Sequence, residues 1–280
     1  MVTKSFGIYN DNNEQLLTKD DFLILEVGKS HIALVLTNSS NTVGGFELFT
    51  FVENESTIDK LFTAIGNTSH FINHSFPLVK VYINHELCLP VPSDKFSEGL
   101  TNDYLNMMFG VDTHSTIHTD HIDIHPQIVS VYSVSQELID ILTPRFSNIE
   151  LKHTWTNVLK TIHKISGLST NPLIYVQFYN TYFIAAVIKD TTLQLIQNFI
   201  YENPEDVLYQ LLNVTTQYEL DTNLVEVRVS GVIDPNYKLF RELSNYFKNL
   251  VSEKVDSSLA LINVNDFPGH YFTPFFSLSF

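Results

Sequence analysis

Phe22-Leu23-Ile24-Leu25-Glu26-Val27-Gly28, followed by His31-Ile32-Ala33-Leu34-Val35-Leu36, reads as two apolar strands joined by a tight turn. Leu173-Ile174-Tyr175-Val176-Gln177-Phe178-Tyr179 and Tyr182-Phe183-Ile184-Ala185-Ala186-Val187-Ile188 read the same way. Working outward, each hairpin is followed by a loop, a third strand, an amphipathic helix and a fourth strand. Residues 22–83 and 173–230 thus share one order of elements. Their fourth strands nearly match in letters: Leu78-Val79-Lys80-Val81-Tyr82-Ile83 against Leu224-Val225-Glu226-Val227-Arg228-Val229. A unit stated twice predicts two facing α/β domains with a cleft between them, over 1–170 and 171–280. The junction is expected at Gly167-Leu168-Ser169-Thr170-Asn171-Pro172, which is small, polar and broken by proline.

The length of 280 residues agrees with two domains, and 44% hydrophobic with 17% charged residues describes a globular chain. Acidic residues number 31 and basic ones 16, for a formal charge of −15. Such a surface repels phosphate backbones and argues against nucleic acid as a partner. Cys88 is the sole cysteine, so no intrachain disulfide forms, and an apolar strand around it makes it a core residue. Neither a signal-peptide pattern nor a run of 18 apolar residues is found, and we expect a cytoplasmic protein.

Between the repeats the pattern changes. Residues 7–21 are polar and expected as a loop or a frayed edge, and Pro90 and Pro92 are expected to close the fourth strand. Residues 93–127 read as an insert, followed by a strand at 128–134, a helix at 136–143, a strand at 149–153 and a helix at 156–166. In the second half, helices are expected over 204–219 and 236–251 and a short strand over Leu259–Ile262. The tail Tyr271-Phe272-Thr273-Pro274-Phe275-Phe276 is aromatic: either a cover for the second domain or a docking peptide.

The doubled order resembles the actin-like ATPase fold, which duplicates a ribonuclease-H-like βββαβαβα unit, over residues 20 to 270. The layout is similar to the actin-like proteins of type IV pilus and type II secretion machines. More narrowly, Val131-Tyr132-Ser133-Val134, Leu151-Lys152-His153 and the aromatic tail resemble an uncharacterised family of actin-like proteins from Bacteroidota. The resemblance implies a site for ATP and Mg²⁺ with three elements. The first is Asp-x-Gly at the turn between the first two strands, where this chain has Glu26-Val27-Gly28-Lys29-Ser30; an ordinary hairpin turn is the other reading. The second lies in the matching turn of the second half, here Gln177-Phe178-Tyr179-Asn180-Thr181, with no acid and a tyrosine where glycine would give room. The third, a glycine pair after the fourth strand, survives by half as Ser230-Gly231, where a glycine that ends a strand is the other reading. The resemblance therefore implies a non-hydrolysing scaffold with a degenerate nucleotide cleft and a protein partner, or else an active ATPase or sugar-kinase-like phosphotransferase using Glu26.

One further signal stands apart. His114, His118, His121 and His125, with Asp120 and Asp123, offer a metal site if they lie on a helix. The Thr, Ile and alternating polarity of the stretch argue for strand or loop, where no helical face gathers them. Gly-x-Ser-x-Gly and Gly-x-Gly-x-x-Gly are absent, which leaves hydrolase and dinucleotide chemistry without a signature.

Overall fold

The repeated order of strands is present in the computed structural model, which describes all residues except 1, 11–17, 54, 111, 112, 168–170, 234, 235, 237, 255–259, 265 and 280. The chain divides into two compact units. One comprises Met1–Asn157, Asp256–Val264 and Leu278–Phe280, the other Val158–Val255 and Asn265–Ser277. The division falls inside a helix rather than in the expected linker at 167–172, of which residues 168–170 lie outside the described residues. Parts of the C-terminal region also belong to the first unit.

In the first unit, β1 (Thr3–Tyr9), β2 (Phe22–Gly28), β3 (His31–Thr37), β4 (Val43–Thr50), α1 (Ile58–Gly66) and β5 (Val79–Asn84) come first. Next are β6 (Cys88–Pro92), α2 (Thr101–Phe109), β7 (Ser115–Ile122), β8 (Ile128–Ser135), α3 (Gln136–Leu142) and β9 (Ile149–His153), and α4 (Thr154–Ser166) starts here. The main sheet runs β1-β4-β3-β2-β5-β9, and a smaller one runs β6-β8-β7. β2 lies antiparallel to β3 and parallel to β5. All of β3 is buried, as a strand covered on both faces requires. Leu61, Phe62 and Ile65 form the buried stripe of α1.

In the second unit, β10 (Leu173–Phe178), β11 (Tyr182–Lys189), β12 (Thr192–Ile200), α5 (Pro204–Gln217), β13 (Glu226–Gly231), α6 (Lys238–Tyr246), β14 (Asn249–Ser252) and α7 (Thr273–Phe276) follow. The sheet order β12-β11-β10-β13-β14 repeats β4-β3-β2-β5-β9, with the same antiparallel hairpin and the same two parallel strands. Pro204 opens α5, where its missing N–H costs nothing, and Asn203 and Asp206 form a reciprocal capping box. Val207, Leu211 and Val214 of α5 pack with Leu243 of α6 against Val176, Val227 and Val229.

Three expectations need correction. Residues 7–9 are not loop but the end of β1, which pairs with β4 at the sheet edge. The insert at 93–127 holds α2 and β7, and β7 pairs with β8, which pairs with β6. Pro90 and Pro92 do not close β5; they sit in β6 at the edge of the smaller sheet, where a missing donor is tolerated. Finally, α6 stops at Tyr246, since Asn249–Ser252 pairs with β13 as a parallel strand. Of the strand expected over 259–262, Leu259 lies outside the described residues and Ala260 makes a single bridge to Val43.

Candidate functional site

The two hairpin turns occupy equivalent places, at the ends of β2 and β10 where α/β sheets commonly bind ligands. In the first unit, Glu26 is 1% exposed, and its carboxylate is already engaged. Oε1 accepts from Asn84 Nδ2 at 2.9 Å and from Thr154 Oγ1 at 2.8 Å, and Oε2 lies 3.2 Å from His31 Nε2. A buried carboxylate is tolerable only with such partners. Gly28 is needed for a reason unrelated to phosphate: a Cβ there would collide with the His31 imidazole. Lys29 reaches Glu86 Oε1 at 2.5 Å and Glu53 at 3.9 Å. Ser30 presents its carbonyl to Phe51 N at 3.0 Å.

The turn of the second unit is aromatic. Gln177 is buried and donates from Nε2 to the Tyr179 hydroxyl at 2.5 Å. The Tyr179 ring stacks on Tyr182 at 4.8 Å and meets Phe275 edge-on at 6.0 Å. Its backbone closes the hairpin with Tyr182, and its carbonyl accepts from Tyr201 Oη at 2.6 Å. Asn180 is an exposed turn residue. Ser230 is buried with its hydroxyl 3.3 Å from that of Tyr175.

Gly231 adopts φ +85°, and a Cβ there would strike the Phe178 carbonyl. Only glycine meets both conditions. Its N–H donates to His270 O at 2.8 Å, and the His270 ring meets Ile233 O. The aromatic tail therefore folds back within the second unit as a buried helical turn, with Phe272, Phe275 and Phe276 at 2%, 3% and 0% exposure.

The histidine stretch gathers no metal set: among the described residues no group of three potential ligands is close enough to hold an ion. His118 and His121, an odd number apart on β7, face opposite sides. His118 stacks on Tyr132 at 5.9 Å, whereas His121 lies edge-on to Phe96 at 5.7 Å. His114 and His125 fall outside the strand. Asp120 has a different use. It accepts from Tyr132 Oη at 3.0 Å, His153 N at 2.8 Å and Thr156 Oγ1 at 2.6 Å. Burial pushes its carboxyl above the usual range against the pull of these donors. His153 Nδ1 accepts a hydrogen bond from Trp155 N, so Nε2 carries the ring proton and donates to His85 O at 3.1 Å. Burial, with His85 beside it, holds His153 neutral, well below the ordinary imidazole value. His85 is held low by burial in the same way. Asn84, Asp120, Thr154 and His270 carry no motif, because their partners Glu26, Thr156 and Gly231 are distant in sequence, and His31 carries none although Glu26 is five residues away.

The arrangement of two repeated sheets defines an actin-like ATPase fold. A Bacteroides thetaiotaomicron VPI-5482 protein with actin-like ATPase fold and unknown function superposes with a TM-score of 0.76 at 15% identity, over 93% of this chain and 96% of that one. The PilM–PilN type IV pilus biogenesis complex matches with a TM-score of 0.59 at 9% identity, over 94% and 98%. The cytoplasmic domain of EpsL, from the type II secretion system of Vibrio cholerae, gives a TM-score of 0.43 at 9% identity, over 81% and 93%. By sequence, the chain belongs to the family described as protein of unknown function (DUF3822), which matches residues 10–250. Among curated proteins none matches the sequence.

Proposed function

We propose that this protein is a non-hydrolysing scaffold of actin-like fold, working in the cytoplasm with a protein partner. The observation that carries the reading is the His270 carbonyl on the Gly231 amide, with Phe275 against Tyr179. The tail thereby takes the backbone donor and the space at the glycine that the fold family offers to adenosine. Mg-ATP also fits the other elements poorly. Glu26 is held by Asn84 and Thr154 and abuts His31, Lys29 is paired, and Gln177 supplies no charge for a metal. Phosphoryl transfer depends on positioned charge around Mg²⁺ and phosphate, so we derive no step through them. In addition, no helix among the described residues is long and apolar enough to cross a membrane.

Calorimetric titration with Mg-ATP, paired with a phosphate-release assay, tests the reading. No saturable binding below about 1 mM and no release is the expected result. Micromolar binding with turnover would replace it by the ATPase or sugar-kinase-like reading with Glu26 at the metal.

A further inference from the structure

Helix α2 meets the smaller sheet through buried Leu105, which joins Val91, Val129 and Val131, with Tyr104 packed partly buried beside it. The rest of that helical face does not close down. Asn102, Leu105, Asn106 and Phe109, spaced i, i+3, i+4 and i+7, line a cavity of about 140 Å³ with Ile117 of β7 and Ser133 of β8. Interiors leave few voids larger than a water molecule, and a cavity of about 150 Å³ accepts a benzene ring. Beside it the helix carries Met107, Met108 and Phe109 at 77%, 54% and 41% exposure. Adjoining exposed apolar side chains mark interaction sites, and methionine adapts its shape to what it meets.

The exposed charges beside α2 are mostly acidic: Lys95, whose carbonyl accepts from Tyr104 Oη of α2, is paired with Asp94 at 3.0 Å. Glu98 and Asp103, on the turn before α2 and on α2 itself, are exposed.

From these observations we infer that α2 and the β6-β8-β7 sheet form a docking groove for a positively charged segment of another protein, which inserts one Leu- or Phe-sized side chain beside Leu105. A second copy of this chain carries the wrong charge, −15. The proposal names the partner class of the scaffold reading and rests on it only for the existence of a protein partner. The two fail separately: turnover of Mg-ATP would leave the peptide titration below unmoved, and absence of peptide binding would leave the calorimetry unmoved.

The test uses the full chain and three short fluorescein-labelled peptides, read by fluorescence anisotropy at low and high salt. One is lysine-rich with a single central Phe, one has that Phe replaced by Ser, and one has Glu for every Lys. The lysine–Phe peptide is expected to saturate one site, weaken with salt, and bind at least about tenfold tighter than the other two. Asn106→Trp, which fills the cavity, and Phe109→Ser, which removes a wall, are each expected to weaken it about tenfold while circular dichroism stays unchanged. The proposal is overturned if the Ser peptide binds as well, since charge alone then suffices. It is overturned equally if the Glu peptide binds, if nothing binds, or if both variants bind like the parent.

Discussion

The two hairpin turns hold the same place in the repeated order of strands and are held by opposite chemistry. At the end of β2, a buried carboxylate gathers Asn84 and Thr154 beside His31, and glycine makes room for an imidazole. At the end of β10, the corresponding position is an uncharged amide tied to a tyrosine, and the tail lies over it. The first turn is locked from beneath by residues of its own sheet and α4, the second from above by a segment that arrives later in the chain. A fold can thus keep its backbone while exchanging the forces at one place, provided each buried polar group finds a partner.

The comparison breaks most visibly if the tail is removed. Truncation after Gly269 strips His270 from Gly231 and exposes the cluster around Phe272, Phe275 and Phe276. We expect a loss of roughly 5 kcal/mol or more, or failure to fold, read by urea denaturation. A stably folded truncated chain would mean that the second turn does not need its cover. Next in size is Glu26→Leu, which leaves Asn84 and Thr154 with buried unmatched donors. It is expected to cost roughly 3–5 kcal/mol, while Gln177→Leu costs less, about 1–2. Equal losses would erase the distinction between a charged and an uncharged lock. Gly231→Ala, strained at positive φ and pressed on Phe178, is expected to cost roughly 2–3 kcal/mol by thermal melting.

Acid sharpens the contrast with the smallest effect. His85 and His153 of the first unit have folded pKa values below the ordinary 6.5, so below that pH the unfolded chain binds protons that the folded chain refuses. Stability therefore rises with pH through this window and is fully present above 6.5, falling as pH drops toward the folded values. Each histidine contributes at most about 1.4 kcal/mol per pH unit. The sole tryptophan, Trp155, is buried with its ring 5.5 Å from His153 and reports on this unit. Its emission should show a lower urea midpoint at pH 5.5 than at pH 7.5, and His153→Gln should flatten the dependence.

How much of this was legible follows from distance along the chain. The strands at 22–28, 31–37, 173–178 and 182–189 announce themselves as apolar runs, and Pro204 marks the start of α5. β1 hides because Thr3, Lys4 and Ser5 are polar at a sheet edge, and β6 because its prolines imitate a loop. The positions of Glu26, Gln177 and Gly231 could be read from the repeat. Their partners could not, since Glu26 binds Thr154 and Gly231 binds His270 by folding rather than by spacing. The aromatic tail was visible as composition, but its conformation, a helical turn rather than a strand, depends on the surface that receives it.

The first unit is completed by residues that come late in the chain, after β14. Val43 bridges Ala260, and Tyr82 donates to Leu278 O at 3.2 Å. During synthesis the sheet around β4 and β5 must wait until some 200 further residues have been made before these contacts can form. Whatever holds the unfinished first unit in that interval is provisional until Ala260 and Leu278 have left the ribosome.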